Sequence, residues 1–254
     1  MNVSPFRAIF LVAVVTLVAA VCIRLGFWQL DRLSTRRDSN ARILAASALP
    51  PLTLDRAGLD SIFHDPDANL FRRSVARGSY EPGGEVVLRG RSHNGRPGVH
   101  VVTPFRLDSG ALILVNRGWL PSPDAATIDL RPYRPSTGHR SLTGSLQTVP
   151  RNADDVAPLL IDVEGGSVHT YRRLDADTMI ARLDEPLPPL YLQLLPDPAT
   201  PISEPPIPVP LPALDEGPHL GYAIQWFSFA AIAIIGFVVA VWRSRRARGL
   251  RPSA

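Results

Sequence analysis

The chain has 254 residues, its 27 basic residues are all arginine, and its formal net charge at pH 7 is +4. The charge is uneven: residues 1–42 carry +4, residues 43–242 carry −5 and residues 243–254 carry +5. Because the basic surplus lies beside two apolar runs, the pattern is typical of a membrane protein and argues against a nucleic-acid surface. Cys22 is the only cysteine, which excludes a disulfide framework and a thiolate metal cluster, and we expect it to be a buried apolar residue.

The first predicted element is a transmembrane helix over residues 6–30, which follows a short cytoplasmic amino terminus, residues 1–5. Ala8–Ile23 carries no charge, and a helix of about 22 residues spans roughly 33 Å, enough for a hydrocarbon core of about 30 Å. A cleaved signal peptide is the alternative. No A-x-A site directly follows the apolar run, however, and the sequence continues as an amphipathic helical extension over residues 31–50. We therefore expect an uncleaved anchor.

Residues 51–195 are predicted to form a strand-rich periplasmic domain. Short apolar runs alternate with turn signals such as Pro82-Gly83-Gly84, Asp108-Ser109-Gly110 and Glu164-Gly165-Gly166. We expect only one helix inside the domain, at Asp177–Leu183. The predicted strands are Ser74–Tyr80, Glu85–Arg91, Val99–Phe105, Ala111–Trp119, Ser141–Thr148, Val168–Leu174 and Leu190–Leu195. Short strands with tight turns favour an antiparallel barrel or sandwich.

A proline-rich strap over residues 196–218 is predicted to return the chain from this domain to the membrane. Its alternating prolines at 206, 208, 210 and 212 favour an extended backbone without regular strand pairing. Residues 220–242 form a second predicted transmembrane helix, and residues 243–254 form a cytoplasmic arginine-rich tail. By the positive-inside rule, both termini are expected in the cytoplasm and the central domain outside. The predicted fold class is a membrane protein in which two transmembrane helices flank an extramembrane, mainly antiparallel β domain with one or two short helices.

The start of the second span carries more polar chemistry than an anchor requires. His219 follows Pro218 and, at helical spacing, shares a face with Tyr222, Ala223 and Trp226. A neutral imidazole beside aromatic and small residues suits the axial ligation of a haem iron. The alternative is an interfacial histidine within a belt of aromatic residues.

A second stripe of the same helix is small and polar. It consists of Gly221, Gln225 and Ser228 and is suited to close packing against the first helix at Gln29. Next to Gln29, Trp28 is predicted to lie in the interfacial aromatic belt. Packing of this stripe on the first helix would bring the Trp28-Gln29 end of that helix close to the start of the second.

Two arginines have predicted aromatic partners. Arg32 lies four residues after Trp28, near enough on a helix for a cation–π contact. Arg117 closes an apolar strand and shares a side with Trp119 if the strand is regular, whereas Gly118 permits a bulge. As a fixed cation, Arg117 could meet a haem propionate. The alternative is a hairpin-end staple that stacks on an aromatic ring.

The sequence gives no sign of an enzyme. It contains no hydrolase elbow, phosphate loop, dinucleotide fingerprint or H-E-x-x-H motif. Its six histidines form no i,i+3 or i,i+4 pair on a predicted helix, so a site with two histidine ligands is not indicated. His100 and His169, in alternating strands, are expected to be solvated or to lie at the edge of the core.

Three blocks in a fixed order carry a resemblance to a known family. They are Leu25–Arg32 at the exit of the first span, the region from Arg77–Tyr80 to Arg117–Pro121 in the domain, and Gly217–Phe227 at the second span. With two spans around a strand-rich loop, the chain resembles the surfeit locus protein one family of cytochrome c oxidase assembly factors. The match is loose over residues 122–212.

The resemblance implies a non-enzymatic membrane factor that binds haem a transiently and assists its delivery to, or insertion into, oxidase subunit I. In bacterial members the second-span histidine is associated with haem binding, and His219 is the matching position. We expect His219 to bind the iron, Tyr222 and Trp226 to form walls, and Gln29 or Gln225 to donate hydrogen bonds. Trp28 and Arg117 complete the expected set of cofactor-binding residues. The family often has a lysine after the Trp28-Gln29 position, where this chain offers only Arg36 and Arg37.

The expected partners are oxidase subunit I, haem a synthase and membrane lipid, without nucleic acid, in a bacterial cytoplasmic (inner) membrane. An alternative function is a membrane-anchored scaffold that binds subunit I and haem a synthase without holding haem itself. A tethered periplasmic enzyme is a third hypothesis. The sequence shows no nucleophile–base pair or metal-ligand spacing in its favour.

Overall fold

The structure is a computed structural model, and it describes residues 5–151, 159–163, 166–196, 204–211 and 214–249. The predictions for residues 1–4, the Glu164-Gly165 turn, parts of the strap and residues 250–254 lie outside the described residues. The chain divides into two compact units, each described by itself. The helical unit is Met1–Ala41 with Leu214–Ala254, and the sheet unit is Arg42–Ala213.

The described residues form long helices at both ends and strands between them. The helices are α1 (Pro5–Ala48), α2 (Arg56–His64), α3 (Pro66–Asn69), α4 (Ala176–Leu183) and α5 (His219–Gly249). The strands are β1 (Leu52–Thr53), β2 (Arg73–Tyr80), β3 (Val86–His93), β4 (Arg96–Leu107), β5 (Leu112–Pro121), β6 (Arg140–Thr148), β7 (Leu159–Val163), β8 (Gly166–Tyr171) and β9 (Leu190–Leu194). Each of the predicted strands overlaps an observed one, and the order of elements confirms the predicted fold class.

Helices α1 and α5 are the elements of the described chain that are long and apolar enough to cross a membrane, judged by length and composition. They pack antiparallel, because Gln29 of α1 meets His219 at the start of α5, whereas Gly26 meets Phe227 further along. A Cβ on Gly26 would lie 2.6 Å from the Phe227 ring, so the glycine is what lets the helices approach. Cys22 is buried, as predicted.

Buried and half-buried residues of α1 recur at alternating spacings of three and four residues. The series is Ala19, Cys22, Gly26, Gln29, Leu33, Arg36 and Asn40. On α5, the spacing repeats at His219, Ala223, Trp226 and Ala230. This is the seam of a two-helix coiled coil, with small residues where the backbones come close.

The sheet unit contains one mixed sheet, whose strand order within the described residues is β1-β2-β6-β9-β5-β4-β3-β8-β7. β2 pairs with β6 through Arg73–Gly78 and with β4 through Gly78–Tyr80, so β2, β6, β9, β5 and β4 form a closed ring of pairings. The clearest predicted hairpin, β4 with β5, is antiparallel. Three pairings, β1–β2, β3–β8 and β5–β9, are parallel. The sequence did not predict them, because short turns between successive strands indicate antiparallel pairs.

The prediction of a single helix in the domain was wrong. Helix α2 begins at the N-cap Asp55, whose carboxylate accepts from the Gly58 amide, a contact worth about 1 kcal/mol. It buries Leu59 and Ile62 against the core that contains Phe105. The predicted helix near 177 is confirmed as α4, which buries its residues in a second core cluster.

The strap also differs from its prediction in one respect. Ile207 donates to and accepts from Trp119 of β5, at 2.9 and 2.8 Å, and forms an antiparallel bridge there. The alternating prolines remove every second amide but leave Ile207 able to pair. Gly118 makes room for this, because a Cβ there would lie 2.1 Å from the Ile207 carbonyl oxygen. Two residues further along the strap, the Val209 carbonyl oxygen accepts a hydrogen bond from the Gln193 side chain at 3.0 Å.

Candidate functional site

The helical unit brings His219 and Gln29 together. Nδ1 of His219 lies 2.9 Å from Oε1 of Gln29, and both side chains are half-buried between α1 and α5. With the amide oxygen as acceptor, Nδ1 carries the proton and Nε2 keeps its lone pair. An imidazole oriented in this way by a second residue is the usual arrangement of a histidine that binds metal through its other nitrogen.

The turn before α5 determines what surrounds Nε2. Gly217 has φ 66°, in the left-handed region that favours glycine, and its amide donates to Oδ1 of Asp215 at 3.0 Å. The Pro218 carbonyl oxygen accepts from the Tyr222 amide and begins the helix. A Cβ on Gly217 would lie 3.5 Å from Nε2 of His219 and 3.3 Å from Cδ2. A side chain at position 217 would therefore contact that edge of the imidazole, whereas glycine adds no atom there.

Polar residues of α1, two to three turns beyond Gln29, hold the same turn through Asp215 and Glu216. We call the five residues the arginine clamp: Arg36, Arg37, Asn40, Asp215 and Glu216. Arg37 donates from Nε and Nη2 to the two oxygens of Glu216, both at 2.8 Å. Arg36 Nε and Asn40 Nδ2 donate to the Asp215 carbonyl oxygen at 3.1 and 2.9 Å. Hydrogen bonds from Arg37, together with its charge, hold the pKa of Glu216 below its ordinary value. The clamp fixes the register in which His219 meets Gln29.

The predicted aromatic residues, which are close to His219 and Gln29 in sequence, differ in their exposure. Tyr222 and Trp28 are exposed, at 48% and 42% of their surface. Trp226 is half-buried, and its ring lies 5.9 Å from that of Phe229 in an edge-to-face arrangement. The predicted cation–π contact is present, because the Arg32 guanidinium lies 5.6 Å from the centre of the Trp28 ring.

The small-polar stripe of Gly221, Gln225 and Ser228 does not pack against α1, contrary to the prediction. All three residues are exposed, and a Cβ on Gly221 would meet nothing within 4 Å. The Ser228 hydroxyl donates to the Ile224 carbonyl oxygen of its own helix. The stripe that contains Ala223 packs against α1 instead. Residues one or two positions apart on a helix lie on different faces, so the two stripes cannot both face α1.

Arg117 belongs to the sheet unit, where it occupies a bulge. Val101 pairs with Gly118 and Val102 with Asn116, which leaves Arg117 as the extra residue of β5. Its Nη1 donates to the Tyr133 carbonyl oxygen at 2.7 Å. Burial lowers the pKa of Arg117.

The bulge also changes the predicted pairing of Arg117 with Trp119. Arg117 lies 5.5 Å over the Tyr80 ring, whereas the Trp119 ring contacts His93 and Arg96. The prediction that Arg117 and Trp119 lie on the same side of β5 assumed a strand without a bulge. A role for Arg117 at a haem propionate stays a prediction.

The sequence analysis missed the acidic half of the clamp. Asp215 and Glu216 were counted only toward the net charge of residues 43–242, although they stand four and three residues before His219. Arg36 and Arg37 stand seven and eight residues after Gln29 on the other helix. The sequence could have indicated this pairing, because two acids lie close to His219 at the start of one predicted helix and two arginines lie close to Gln29 on the other.

The described residues contain no group of three or more His, Cys, Asp or Glu side chains that could hold a metal ion. In that part of the chain the protein supplies no complete donor set of its own. A single oriented imidazole suits a metal that brings its other ligands with it, as an iron porphyrin does.

These features define a class: a membrane-anchored protein in which two apolar helices flank a mixed β-sheet domain and meet at a histidine–glutamine contact. A profile of the SURF1 family matches residues 16–231 of the chain. The protein belongs to the SURF1 family, which is linked to the assembly of cytochrome oxidase and is not known as a class of enzymes.

Relatives with similar sequences occur in bacteria and eukaryotes. The chain is 29% identical over 222 residues to an uncharacterised SURF1-like protein of Mycobacterium tuberculosis, and the match covers 86% of this chain and 78% of that protein. It is 28% identical over 252 residues to a SURF1-like protein of Monosiga brevicollis, covering 92% of this chain and 88% of the relative. A SURF1-like protein of Rickettsia felis is 32% identical over 108 residues, 42% of this chain and 44% of that protein.

Proposed function

We propose that this protein is an assembly factor that binds haem a and assists its delivery to, or insertion into, subunit I of a haem-copper cytochrome c oxidase. The observation that carries the proposal is the 2.9 Å contact between Nδ1 of His219 and Oε1 of Gln29. It leaves Nε2 as the free donor nitrogen of an imidazole whose orientation is fixed. Membership of a family linked to oxidase assembly supports the choice of haem a as cargo.

The residues around the imidazole fit such a cargo. Haem supplies four of the iron's ligands from its own ring, so one protein nitrogen is sufficient to hold it. Gly217 places no side chain beside Nε2, and the exposed rings of Tyr222 and Trp28 offer apolar surface to a flat ligand. Trp226 is a further wall in this proposal, and Gln29 keeps the imidazole in its donor tautomer. Gln225 is exposed and has no place in the contact itself.

Haem that is transferred to another protein must be bound weakly enough to dissociate. The site has one imidazole ligand, lies between two helix ends and is open to solvent or lipid at its aromatic residues. An open site with a single ligand suits transient binding better than permanent retention. The proposed partners in the exchange are oxidase subunit I and haem a synthase.

The proposed location is a bacterial inner membrane, with both termini in the cytoplasm and the sheet unit on the other side. The support is the uneven charge, in particular the arginines that follow the apolar part of α5. Large apolar side chains of α5 are exposed along its length, including Ile224, Ile232, Ile235 and Val238. Such faces suit lipid or the helices of a membrane partner.

The test is the haem a content of subunit I in cells that depend on this protein. In a strain that lacks the gene, a plasmid copy of the parent should restore haem a in purified subunit I, and His219→Ala should not. Ser228→Ala, an exposed change on the same helix, is the matched control and should restore it fully. Full restoration by His219→Ala, with the variant present at parental levels, would favour the scaffold alternative and contradict haem binding.

A further inference from the structure

A cleft in the sheet unit, remote in sequence from His219, is lined by four arginines. The arginine cleft consists of Arg89, Arg91, Arg172 and Arg173, with Gly90 and the turn residues Asp124, Ala125 and Ala126, and has a volume of about 400 Å³. Its only lining acid among the described residues is Asp124, so the lining carries a formal charge of +3. The chain around it, residues 43–242, is acidic overall. The positive charge is therefore a local feature of the cleft.

The strand register assembles this cleft. β3 and β8 pair in parallel with Leu88 opposite Tyr171, so the arginines that follow each of these residues come side by side. The β3–β4 register shifts between Leu88 and Arg91, which marks a bulge at Gly90, where φ is 70°. The Gly90 amide donates to the Ala125 carbonyl oxygen at 2.7 Å and brings the Asp124 turn to the cleft.

Two of the guanidinium groups are fixed by backbone acceptors. Arg91 Nη2 donates to the Arg172 carbonyl oxygen at 2.8 Å, and Arg89 Nη1 donates to that of Thr170 at 3.3 Å. Each arginine has five N–H donors, so most remain for a ligand. Within the described residues, no carboxylate forms an ion pair with Arg89, Arg91 or Arg173. Burial lowers the pKa of Arg91, and the charge of Arg173 contributes a smaller lowering.

Asp124 does not neutralise these arginines by pairing with them. Its carboxylate accepts from the Ser122 hydroxyl, from the amides of Ala126 and Thr127, and from the Thr127 hydroxyl. Hydrogen bonds from Thr127, then from Ala126 and Ser122, hold its pKa well below the ordinary range. The Asp124 carboxylate therefore shapes the turn and does not pair with Arg89, Arg91 or Arg173.

We propose that the arginine cleft binds a phosphate group, carried either by a soluble compound or by a lipid headgroup. A phosphate group has more acceptor oxygens than a carboxylate and at least one negative charge, so it suits convergent guanidinium groups better than a single carboxylate does. A nucleic acid is disfavoured, because none of the described lining residues is an aromatic on which a base could stack. This site is independent of the proposed haem site.

The test uses the full-length protein in nanodiscs of neutral phosphatidylcholine, titrated with inorganic pyrophosphate in a calorimeter. The parent should bind, and Arg89→Gln with Arg173→Gln should weaken binding about tenfold or more, because charge-assisted hydrogen bonds are lost. Arg56→Gln with Arg73→Gln removes the same charge from exposed positions outside the cleft and should leave affinity unchanged. His219→Ala should also leave it unchanged, which separates this site from haem binding.

Repeating the titration in discs that contain phosphatidylglycerol distinguishes the two sources of phosphate. If the lipid headgroup is the ligand, the affinity of the parent for pyrophosphate is lower in these discs, because the lipid competes for the cleft. The exposed-arginine control should show the same decrease as the parent. If a soluble phosphate compound is the ligand, the parental affinity is the same in both kinds of disc. The proposal is overturned if pyrophosphate does not bind the parent, or if the cleft variant and the exposed-arginine control bind it equally well.

Discussion

Nδ1 of His219 lies 2.9 Å from Oε1 of Gln29, a residue 190 positions earlier in the chain. Two helices that are far apart in sequence are thus joined by a polar contact at the seam of their packing. A half-buried polar pair is costly to break, because the remaining partner loses its hydrogen bond. The contact therefore fixes both the helix register and the imidazole.

Gln29 is predicted to act through His219. Gln29→Leu should reduce haem occupancy of the purified protein by about tenfold or more, because the acceptor that orients the imidazole is lost. Gln29→Glu should retain haem, since a carboxylate accepts from Nδ1 at least as well as an amide. Gln225→Leu, an exposed position on α5, is the control. Equal haem content in the Gln29→Leu and Gln225→Leu proteins would show that Gln29 has no such role.

Gly217 is predicted to be required for access to Nε2. Gly217→Ala should lower haem occupancy, because the new Cβ would stand 3.5 Å from Nε2 in a left-handed backbone conformation that costs about 1–2 kcal/mol for other residues. Gly221→Ala is the matched control, since a Cβ there meets nothing within 4 Å and alanine favours the helix. Haem titration and thermal unfolding of both variants are the measurements. Unchanged haem affinity in Gly217→Ala would contradict the predicted access route.

The Arg37–Glu216 pair is predicted to hold the two helix ends in register. Arg37→Glu should lower haem occupancy, and adding Glu216→Arg should restore it, because the swapped pair recreates the attraction. Arg42→Glu, at an exposed position further along α1, should have no effect. If both proteins are folded and the double variant recovers no haem binding, the predicted role of this ion pair in holding the helix ends is contradicted.

The same pair predicts a pH dependence. The folded-state pKa of Glu216 is lowered from 4.5 by its hydrogen bonds with Arg37. Its stabilisation is therefore complete above 4.5 and is lost as the pH falls through the lowered value. Haem retention measured between pH 6 and 3 should drop in the parent at the acid end. The drop should be smaller in Glu216→Gln, which has no carboxylate to titrate, and an equal drop in both proteins would assign the effect to another group.

His100 is predicted to destabilise the sheet unit in acid. Burial, and then the charges of Arg91 and His93, lowers its pKa from 6.5 to about 4. Because the unfolded chain binds the proton more readily, stability is complete above 6.5 and is lost as the pH falls toward 4, by up to about 3 kcal/mol. His100→Gln should flatten the pH dependence of the denaturant unfolding midpoint between pH 7 and 5, followed by tryptophan fluorescence. An equally steep acid loss in His100→Gln would rule out this histidine as its source.

The sequence was sufficient to predict elements whose pattern is local. The two apolar helices and the strands that alternate with glycine turns follow from length and periodicity, and α4 follows from a short run ending near Leu183. The parallel pairings were not predictable, because β5 and β9 are brought together by the rest of the ring and not by a turn. Helix α2 was missed since its apolar residues, Leu59 and Ile62, are too few to show a period.

The candidate site was predictable only in part. The helix face of His219 followed from residue spacing. Its proximity to Gln29 was expected from the family resemblance that the blocks Leu25–Arg32 and Gly217–Phe227 carry. Which stripe of α5 packs on α1 depends on a rotation that a uniformly apolar helix does not encode. The stripe of Ala223 and the stripe of Gln225 differ by two positions, and the close approach of Gly26 to Phe227 decides between them.

The central claim is that His219 is the haem ligand, and the absorption spectrum of the purified protein tests it most directly. The full-length parent, purified in detergent from cells that make haem a, should carry the absorption bands of bound haem, and His219→Ala purified in parallel should lose them. A parent without haem, or a His219→Ala protein with the same spectrum and the same occupancy as the parent, would contradict the account.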